Sequence, residues 1–200
     1  MAPRFEGNAV LGNKVIKVRT DQYRNKYLVL LFYPFDFTYV CPTEIIAFSE
    51  AYNQIKGIGA DILGISVDSV HTHMAWIKTP RSQGGVGQLN FPLFADVSRE
   101  LSNAYGVLVN SKNDELHGAA LRGLFIVDGK NKIRHMQITD ASVGRDVNET
   151  IRLIKAFQYT DTHGEVCPAG WKEGDKTIKP DQELKKEFFK ETYTDPKSDL

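Results

Sequence analysis

Blocks of apolar residues along the first 160 positions predict an alternation of strands and helices. Residues 26–33, KYLVLLFY, are apolar almost throughout, which is typical of a central strand buried on both faces. Residues 42–59 instead repeat apolar side chains at helical spacing, with Ile45, Phe48 and Ile55 on one face, and end in glycines. We therefore predict a buried strand that leads directly into one long helix.

The same two patterns recur through the rest of this region. Strands are predicted at residues 60–68, 91–96, 120–128 and 132–139, and helices at residues 69–79, 97–107 and 144–159. The turn DGKN before the last strand indicates a β-hairpin. Strands that alternate with helices, closed by a hairpin and a final helix, indicate an α/β fold with a central mixed β-sheet flanked by helices.

A change of composition at about residue 160 indicates a second region. Residues 161–200 are polar and contain three of the eight prolines of the chain. We therefore predict a domain at residues 3–160 and a C-terminal extension at residues 161–200 that is not part of the central sheet.

The charge balance excludes two classes of partner. The chain has 25 lysines and arginines against 25 aspartates and glutamates, so its net charge is zero. Nucleic acids and anionic membrane surfaces both attract proteins with a basic surface, so neither is expected as a partner. No apolar run approaches the roughly 20 residues that span a bilayer.

The two cysteines bear on the compartment. Two cysteines in 200 residues do not make a secreted disulfide scaffold, so a reducing compartment is expected. The N-terminus, MAPRFEGNAV, has no apolar segment of the kind found in secretion signals. We expect a cytoplasmic protein, with a mitochondrion or another organelle as the alternative if a targeting leader is absent from this chain.

Cys41 is the strongest candidate for chemistry because of where the pattern places it. Proline is favoured at the first helical position, so Pro42 predicts that Cys41 is the N-cap, facing free backbone N–H groups and the positive end of the helix dipole. That setting favours the thiolate, which is the nucleophilic form. Thr38 can bring a hydroxyl to the same point. Glu44 would repel a thiolate, so a cation is expected nearby, and Arg122, opening an apolar strand, is the best candidate.

Each of these residues also has an interpretation without a catalytic role. A lone cysteine is more often a small core residue, Thr38 alone a turn residue and Arg122 alone a salt-bridge residue. A cysteine hydrolase would need a histidine base, and no histidine is tied to Cys41 by a local signal. The five histidines are scattered and expected to be solvated, and no HExxH occurs, so no metal is expected. GGVG is not a phosphate-binding loop, since GK[ST] does not follow it.

Several motifs resemble those of one family. PFDFTYVCPTE carries the pattern PxxxTxxC, and with ISVDS, HMAWIK, LRGLFIVD, VGRDVNETIRLIKAFQ and HGEVCPAGW it looks like a typical 2-Cys peroxiredoxin. The resemblance runs from about Phe5 to Phe189. It implies a thioredoxin-like fold and thiol-dependent reduction of hydrogen peroxide, alkyl hydroperoxides and peroxynitrite. It implies no metal or organic cofactor.

The resemblance also implies roles for the two cysteines. Cys41 would be the peroxidatic cysteine, oxidised by peroxide to a sulfenic acid. Cys167 would be the resolving cysteine, contributed by the partner subunit, and the two would form the redox disulfide. Thioredoxin would then reduce that disulfide.

Five further residues match the motif of the family around the peroxidatic cysteine. Thr38 would hydrogen-bond the peroxide, Pro34 would shield the thiolate, and Arg122 would stabilise the thiolate and the transition state. Glu44 and Arg145 match the polar network behind Arg122.

The resemblance implies an assembly and a second role. Typical members are antiparallel dimers that pair edge strands, here KIRHMQIT at residues 132–139, and assemble as five dimers into a decamer. A holdase chaperone or redox-signalling adaptor is the alternative function. Two departures concern over-oxidation: Val86 replaces leucine in the GGLG motif of peroxide-sensitive members, and Phe188 replaces the tyrosine of their Tyr-Phe tail.

Overall fold

The computed structural model describes residues 1–193 and divides the chain into two compact units. These are Met1–Val147 and Asn148–Leu200. The contacts thus group almost all of the last long helix with the C-terminal segment, whereas the boundary predicted at residue 160 stays a prediction. The last part of the predicted extension, residues 194–200, lies outside the described residues.

The first unit contains a single seven-stranded sheet. Its strands are β1 (Glu6–Leu11), β2 (Lys14–Arg19), β3 (Tyr27–Phe32), β4 (Ala60–Ser66), β5 (Leu93–Ala95), β6 (Arg122–Val127) and β7 (Ile133–Thr139). Their spatial order is β2-β1-β5-β4-β3-β6-β7. β4 pairs in parallel with β3 and β5, and the other pairs are antiparallel. The predicted mixed sheet is confirmed, and the sequence patterns did not predict the β1–β2 hairpin.

The predicted helices at residues 69–79, 97–107 and 144–159 are all present, the second of them shorter, whereas the last helix of the structure was not predicted. The helices are α1 (Cys41–Glu50), α2 (Tyr52–Gly57), α3 (Val70–Lys78), α4 (Glu100–Ala104), α5 (Val147–His163) and α6 (Lys185–Thr192), with short 3-10 helices at Thr20–Tyr23 and Arg81–Gln83. The prediction of one helix over 42–59 is wrong, because the chain breaks at Ala51 between α1 and α2. The cap expected at Ser69 is present, since its hydroxyl accepts the Thr72 N–H over 3.2 Å.

The centre of the sheet determines which residues meet at its edge. Every residue of β3, β4 and β6 is buried, as the apolar runs predict. β6 runs antiparallel to β3, with Leu31 opposite Leu124. The start of β6 therefore lies beside the end of β3, where the chain turns towards α1. That register brings Arg122 to the same end of the sheet as Cys41.

β7 forms one edge of the sheet, as expected for residues 132–139. Its exposed side chains include two large apolar ones, Met136 and Ile138, which are 69% and 53% exposed. Across residues 1–193, none of the helices combines the length and the apolar character required to cross a membrane.

Candidate active site

The thiol of Cys41 lies at the very start of α1 and is fully buried. Val40, with φ −82° and ψ −34°, already has a helical backbone and is the N-cap. The expectation that Cys41 is the N-cap and Pro42 the first helical residue is therefore wrong by one position. Cys41 still lies in the first helical turn, where backbone N–H groups and the helix dipole favour a negative charge.

Arg122 is the cation beside the sulfur. Its Nη1 donates to Cys41 Sγ over 3.3 Å and to Glu44 Oε2 over 2.7 Å. Its Nε donates to the carbonyl of Ala141 over 2.8 Å, which fixes the plane of the guanidinium. The side chain is only 3% exposed, so its charge acts on the sulfur with little screening by water.

Glu44 is bound by a second buried arginine. Arg145 donates to Oε1 from its backbone N and its Nε, both over 2.7 Å, and to Oε2 from Nη2 over 2.9 Å. Its Nη1 donates to the carbonyls of Phe32, over 2.8 Å, and Gly123, over 2.7 Å. Arg145 thus ties the ends of two neighbouring strands to the first turn of α1.

The two arginines set the charge state of Glu44. Burial by itself would raise the pKa of this carboxyl group, but the hydrogen bonds and charge of Arg145, followed by the charge of Arg122, outweigh it. The pKa of Glu44 is therefore lowered from its ordinary value. The cluster contains two positive charges and one negative charge before Cys41 is counted.

The segment before α1 supplies Pro34 and Thr38. Pro34 is buried, and Thr38 is half-buried. The hydroxyl of Thr38 donates to the carbonyl of Phe35 over 3.0 Å, so its oxygen keeps the capacity to accept a bond. The structure thus brings Arg122 against Cys41, and Glu44 and Arg145 behind it, and leaves the hydroxyl of Thr38 bonded within its own loop.

A buried polar network below this loop escaped the sequence patterns. Asp36 accepts from the hydroxyl of Tyr33 over 2.8 Å and lies 2.8 Å from Nδ1 of His73. Nε2 of His73 donates to the carbonyl of Phe94 over 3.3 Å. The expectation that the histidines are solvated is wrong for His73, which is fully buried. Burial raises the pKa of Asp36, although His73 opposes the shift.

Cys167 lies in the second unit and is a free, half-buried thiol. Its sulfur donates to the carbonyl of Ala156 in α5 over 3.8 Å. Burial raises the pKa of the Cys167 thiol, and the positive charge of Arg152 acts in the opposite direction.

Side chains that commonly bind metals are not clustered in the part of the chain that the structure describes. Among the described residues, no group of three histidine, cysteine, aspartate or glutamate side chains is arranged to hold a metal ion.

Two family profiles match the sequence. One, described as the AhpC/TSA family, matches residues 1–136, and one described as the C-terminal domain of 1-Cys peroxiredoxin matches residues 156–191.

Individual proteins match over most of their length. Peroxiredoxin-2 of Rattus norvegicus is 56% identical over 188 residues, which cover 94% of this chain and 92% of that protein. The thioredoxin-dependent peroxide reductase, mitochondrial, of Mus musculus is 47% identical over 192 residues, 96% of this chain and 73% of that protein. The crystal structure of reduced Plasmodium vivax 2-Cys peroxiredoxin aligns with a TM-score of 0.89 at 37% identity, covering 94% of this chain and 96% of that one.

Proposed function

Since this chain belongs to the AhpC/TSA family and is a peroxiredoxin, a thiol peroxidase with a thioredoxin-like fold, we propose that Cys41 is the thiol that attacks the peroxide. The observation that carries this assignment is the contact between Arg122 and the sulfur, 3.3 Å long and buried. A guanidinium placed there stabilises a thiolate and remains in place as charge moves onto the peroxide oxygens.

The first step needs only the groups at this end of the sheet. The Cys41 thiolate attacks one oxygen of the peroxide, the O–O bond breaks, and the departing oxygen leaves as an alcohol or as water once it has taken up a proton. The sulfur becomes a sulfenic acid. Arg122 stabilises the developing charge, and the oxygen of Thr38 accepts a hydrogen bond from the O–H of the peroxide. Pro34 shields the sulfur from water, and Glu44 and Arg145 hold Arg122 in place. No metal or organic cofactor enters this step.

We propose that Cys167 of the partner subunit resolves the sulfenic acid as a Cys41–Cys167 disulfide, which thioredoxin reduces. Members of the family form oligomers and are linked to thioredoxin. For this chain we propose a dimer that pairs β7 with its copy, and five such dimers in a decamer. The two exposed apolar residues of β7, Met136 and Ile138, support this, because an unpaired apolar edge strand invites pairing.

The proposed compartment is the cytoplasm, with a mitochondrion or another organelle as the alternative. The support is the low cysteine count, which suits a reducing environment. Fractionation of cells that express the native gene tests the assignment directly.

The experiment that tests the catalytic roles is steady-state turnover of hydrogen peroxide with thioredoxin, thioredoxin reductase and NADPH. Cys41→Ser is expected to abolish NADPH consumption. Cys167→Ser is expected to abolish it as well, while dimedone still labels a sulfenic acid at Cys41. On non-reducing gels, oxidised wild type is expected to run as two linked chains. Normal turnover by Cys41→Ser, or a monomeric band after oxidation of wild type, contradicts the respective assignment.

A further inference from the structure

Arg152 connects α5 to the turn that carries Cys167. Its Nη1 donates to the carbonyl of Trp171 over 2.9 Å. The turn between Cys167 and Trp171 is closed by a bond of 3.1 Å from the backbone N of Trp171 to the carbonyl of Pro168. The sulfur of Cys167 donates to the carbonyl of Ala156 over 3.8 Å. Both ends of this short turn are therefore bound to α5, one through the sulfur and the other through Arg152.

The spacing along α5 places these two attachment points close together. Arg152 and Ala156 are four residues apart, so they lie on the same face of the helix, with Cβ atoms about 5–6 Å apart. The side chain that holds Trp171 therefore starts one helical turn before the residue whose carbonyl accepts from the sulfur.

The guanidinium also has a fixed orientation. Glu149, three residues earlier on α5, accepts from Arg152 Nε over 2.6 Å and from Nη2 over 2.8 Å. This two-bond pair leaves Nη1 directed at the turn. The side chain of Arg152 is 23% exposed, so solvent screens its charge only in part.

We propose that Arg152 is a positioning residue for the resolution step: it holds the turn that presents Cys167 and supplies the positive charge that favours the Cys167 thiolate. The electrostatics agree with the geometry, because burial raises the pKa of Cys167 and the charge of Arg152 opposes that rise. This inference rests on the proposed role of Cys167 as the resolving thiol.

The chemistry of resolution explains why such a charge matters. The thiolate of Cys167 attacks the sulfur of the Cys41 sulfenic acid, an S–S bond forms, and the S–O bond breaks. Hydroxide leaves and takes up a proton equivalent to the one that Cys167 lost, so the products are the disulfide and water. The rate depends on the thiolate fraction of the attacking sulfur. A tenfold loss of thiolate, partly offset by the greater nucleophilicity of a more basic sulfur, slows exchange about threefold.

The test is rapid-quench measurement of disulfide formation in the full-length protein after one equivalent of hydrogen peroxide, from pH 6 to alkaline pH. Arg152→Gln removes the charge, and Arg152→Lys keeps it. Lys155→Gln is the matched control, because it removes another α5 cation that binds the same segment, through a 2.6 Å pair with Glu173. Dimedone trapping reports the preceding step at Cys41 in every variant.

The expected result for Arg152→Gln is disulfide formation about threefold slower at neutral pH, with unchanged sulfenic acid formation. Its rate should reach and then exceed that of wild type at alkaline pH, where Cys167 ionises without help and the more basic sulfur is the stronger nucleophile. Arg152→Lys should lie close to wild type in its pH profile, and Lys155→Gln should leave the profile unmoved.

Three results overturn the proposal. A rate for Arg152→Gln that is unchanged or faster at neutral pH means that the contact only restrains the turn. If disulfide formation in Arg152→Gln is slower by the same factor at every pH, and Lys155→Gln is slowed in the same way, the role of Arg152 is purely structural. If wild type forms sulfenic acid but no disulfide with Cys167, then the role proposed for Cys167 fails first and that of Arg152 falls with it.

Discussion

Replacing Glu44 by glutamine should destabilise the protein severely, because it removes the carboxylate that binds both Arg122 and Arg145. The side chains of these arginines are 3% and 0% exposed, and that of Glu44 is 2% exposed. Glutamine has nearly the same shape but offers one oxygen where glutamate offers two. One guanidinium would then face an NH₂ group, donor against donor, and two positive charges would remain buried without compensation.

The magnitude follows from what removal of one partner does to a buried ion pair, which is a loss of about 3–5 kcal/mol. That is a large part of the roughly 5–15 kcal/mol by which domains are stable. With a urea m-value of about 2 kcal/mol/M, the unfolding midpoint should fall by about 1.5–2.5 M. The assay is urea unfolding of the reduced protein followed by circular dichroism, at one fixed protein concentration because assembly contributes to stability.

Glu50→Gln is the matched control on the same helix. Glu50 accepts from Arg81 over 2.8 Å, but its side chain is 62% exposed, so its loss should cost no more than about 1 kcal/mol. If Glu44→Gln lowers the midpoint no more than Glu50→Gln does, the buried cluster does not depend on its charge balance, and the reasoning above is refuted.

The same pair of proteins gives a pH test with a definite sign. The fold lowers the pKa of Glu44 from its ordinary value of 4.5, so its contribution is complete above that value and is lost as the pH falls through the folded pKa. The stability difference between wild type and Glu44→Gln should therefore be constant near neutrality and shrink in acid. A difference that stays constant below pH 4 would contradict the assignment.

Three further changes test other parts of the molecule. Arg122→Ala should slow the reaction of the reduced protein with hydrogen peroxide by about 10²–10³, the usual loss when a charge-stabilising donor is removed, in a stopped-flow fluorescence assay; a loss under threefold would remove Arg122 from the mechanism. Ile138→Asp, on exposed β7, should shift the protein to smaller species in sedimentation velocity, whereas Val97→Asp, at an equally exposed site outside β7, should not. Phe188→Tyr with Val86→Leu gives the chain the residues of the peroxide-sensitive members and should increase Cys41 sulfinic acid during turnover at high peroxide, counted by mass spectrometry; equal sensitivity in wild type would show that these two positions do not set it.

The parts of the fold that the sequence predicted are those with a strong local signal. The apolar run at residues 26–33 and the strand opened by Arg122 needed no knowledge of their neighbours. The break at Ala51 carries no glycine or proline, so nothing local separates α1 from α2. The β1–β2 hairpin was missed because its strands mix buried and exposed positions, with burial patterns that do not follow a strict alternation.

The burial of His73 illustrates a different limit. Its partner Asp36 lies 37 positions earlier, and only the meeting of α3 with the loop after β3 brings the two together. A histidine two positions from another, on a short amphipathic helix, gives no local sign of that contact. Burial of a polar residue depends on a partner that is distant in sequence, so it is the property that one-dimensional patterns predict least well.

Glu44 marks the point where sequence reasoning about the site was incomplete. In the sequence, a carboxylate three residues after Cys41 is a repulsive charge that one cation must offset. Arg122 was the cation expected to offset it. In the structure Arg145 neutralises Glu44, so the charge of Arg122 is left over. Two guanidiniums and one carboxylate sum to a single positive charge, and a buried cluster is neutral only if a further anion joins it. In the proposed mechanism that anion is the thiolate of Cys41, whose sulfur lies 3.3 Å from Arg122. Arg145 therefore compensates the charge of Glu44, which alone would oppose ionisation of the sulfur. Glu44 is then free to hold Arg122 beside Cys41.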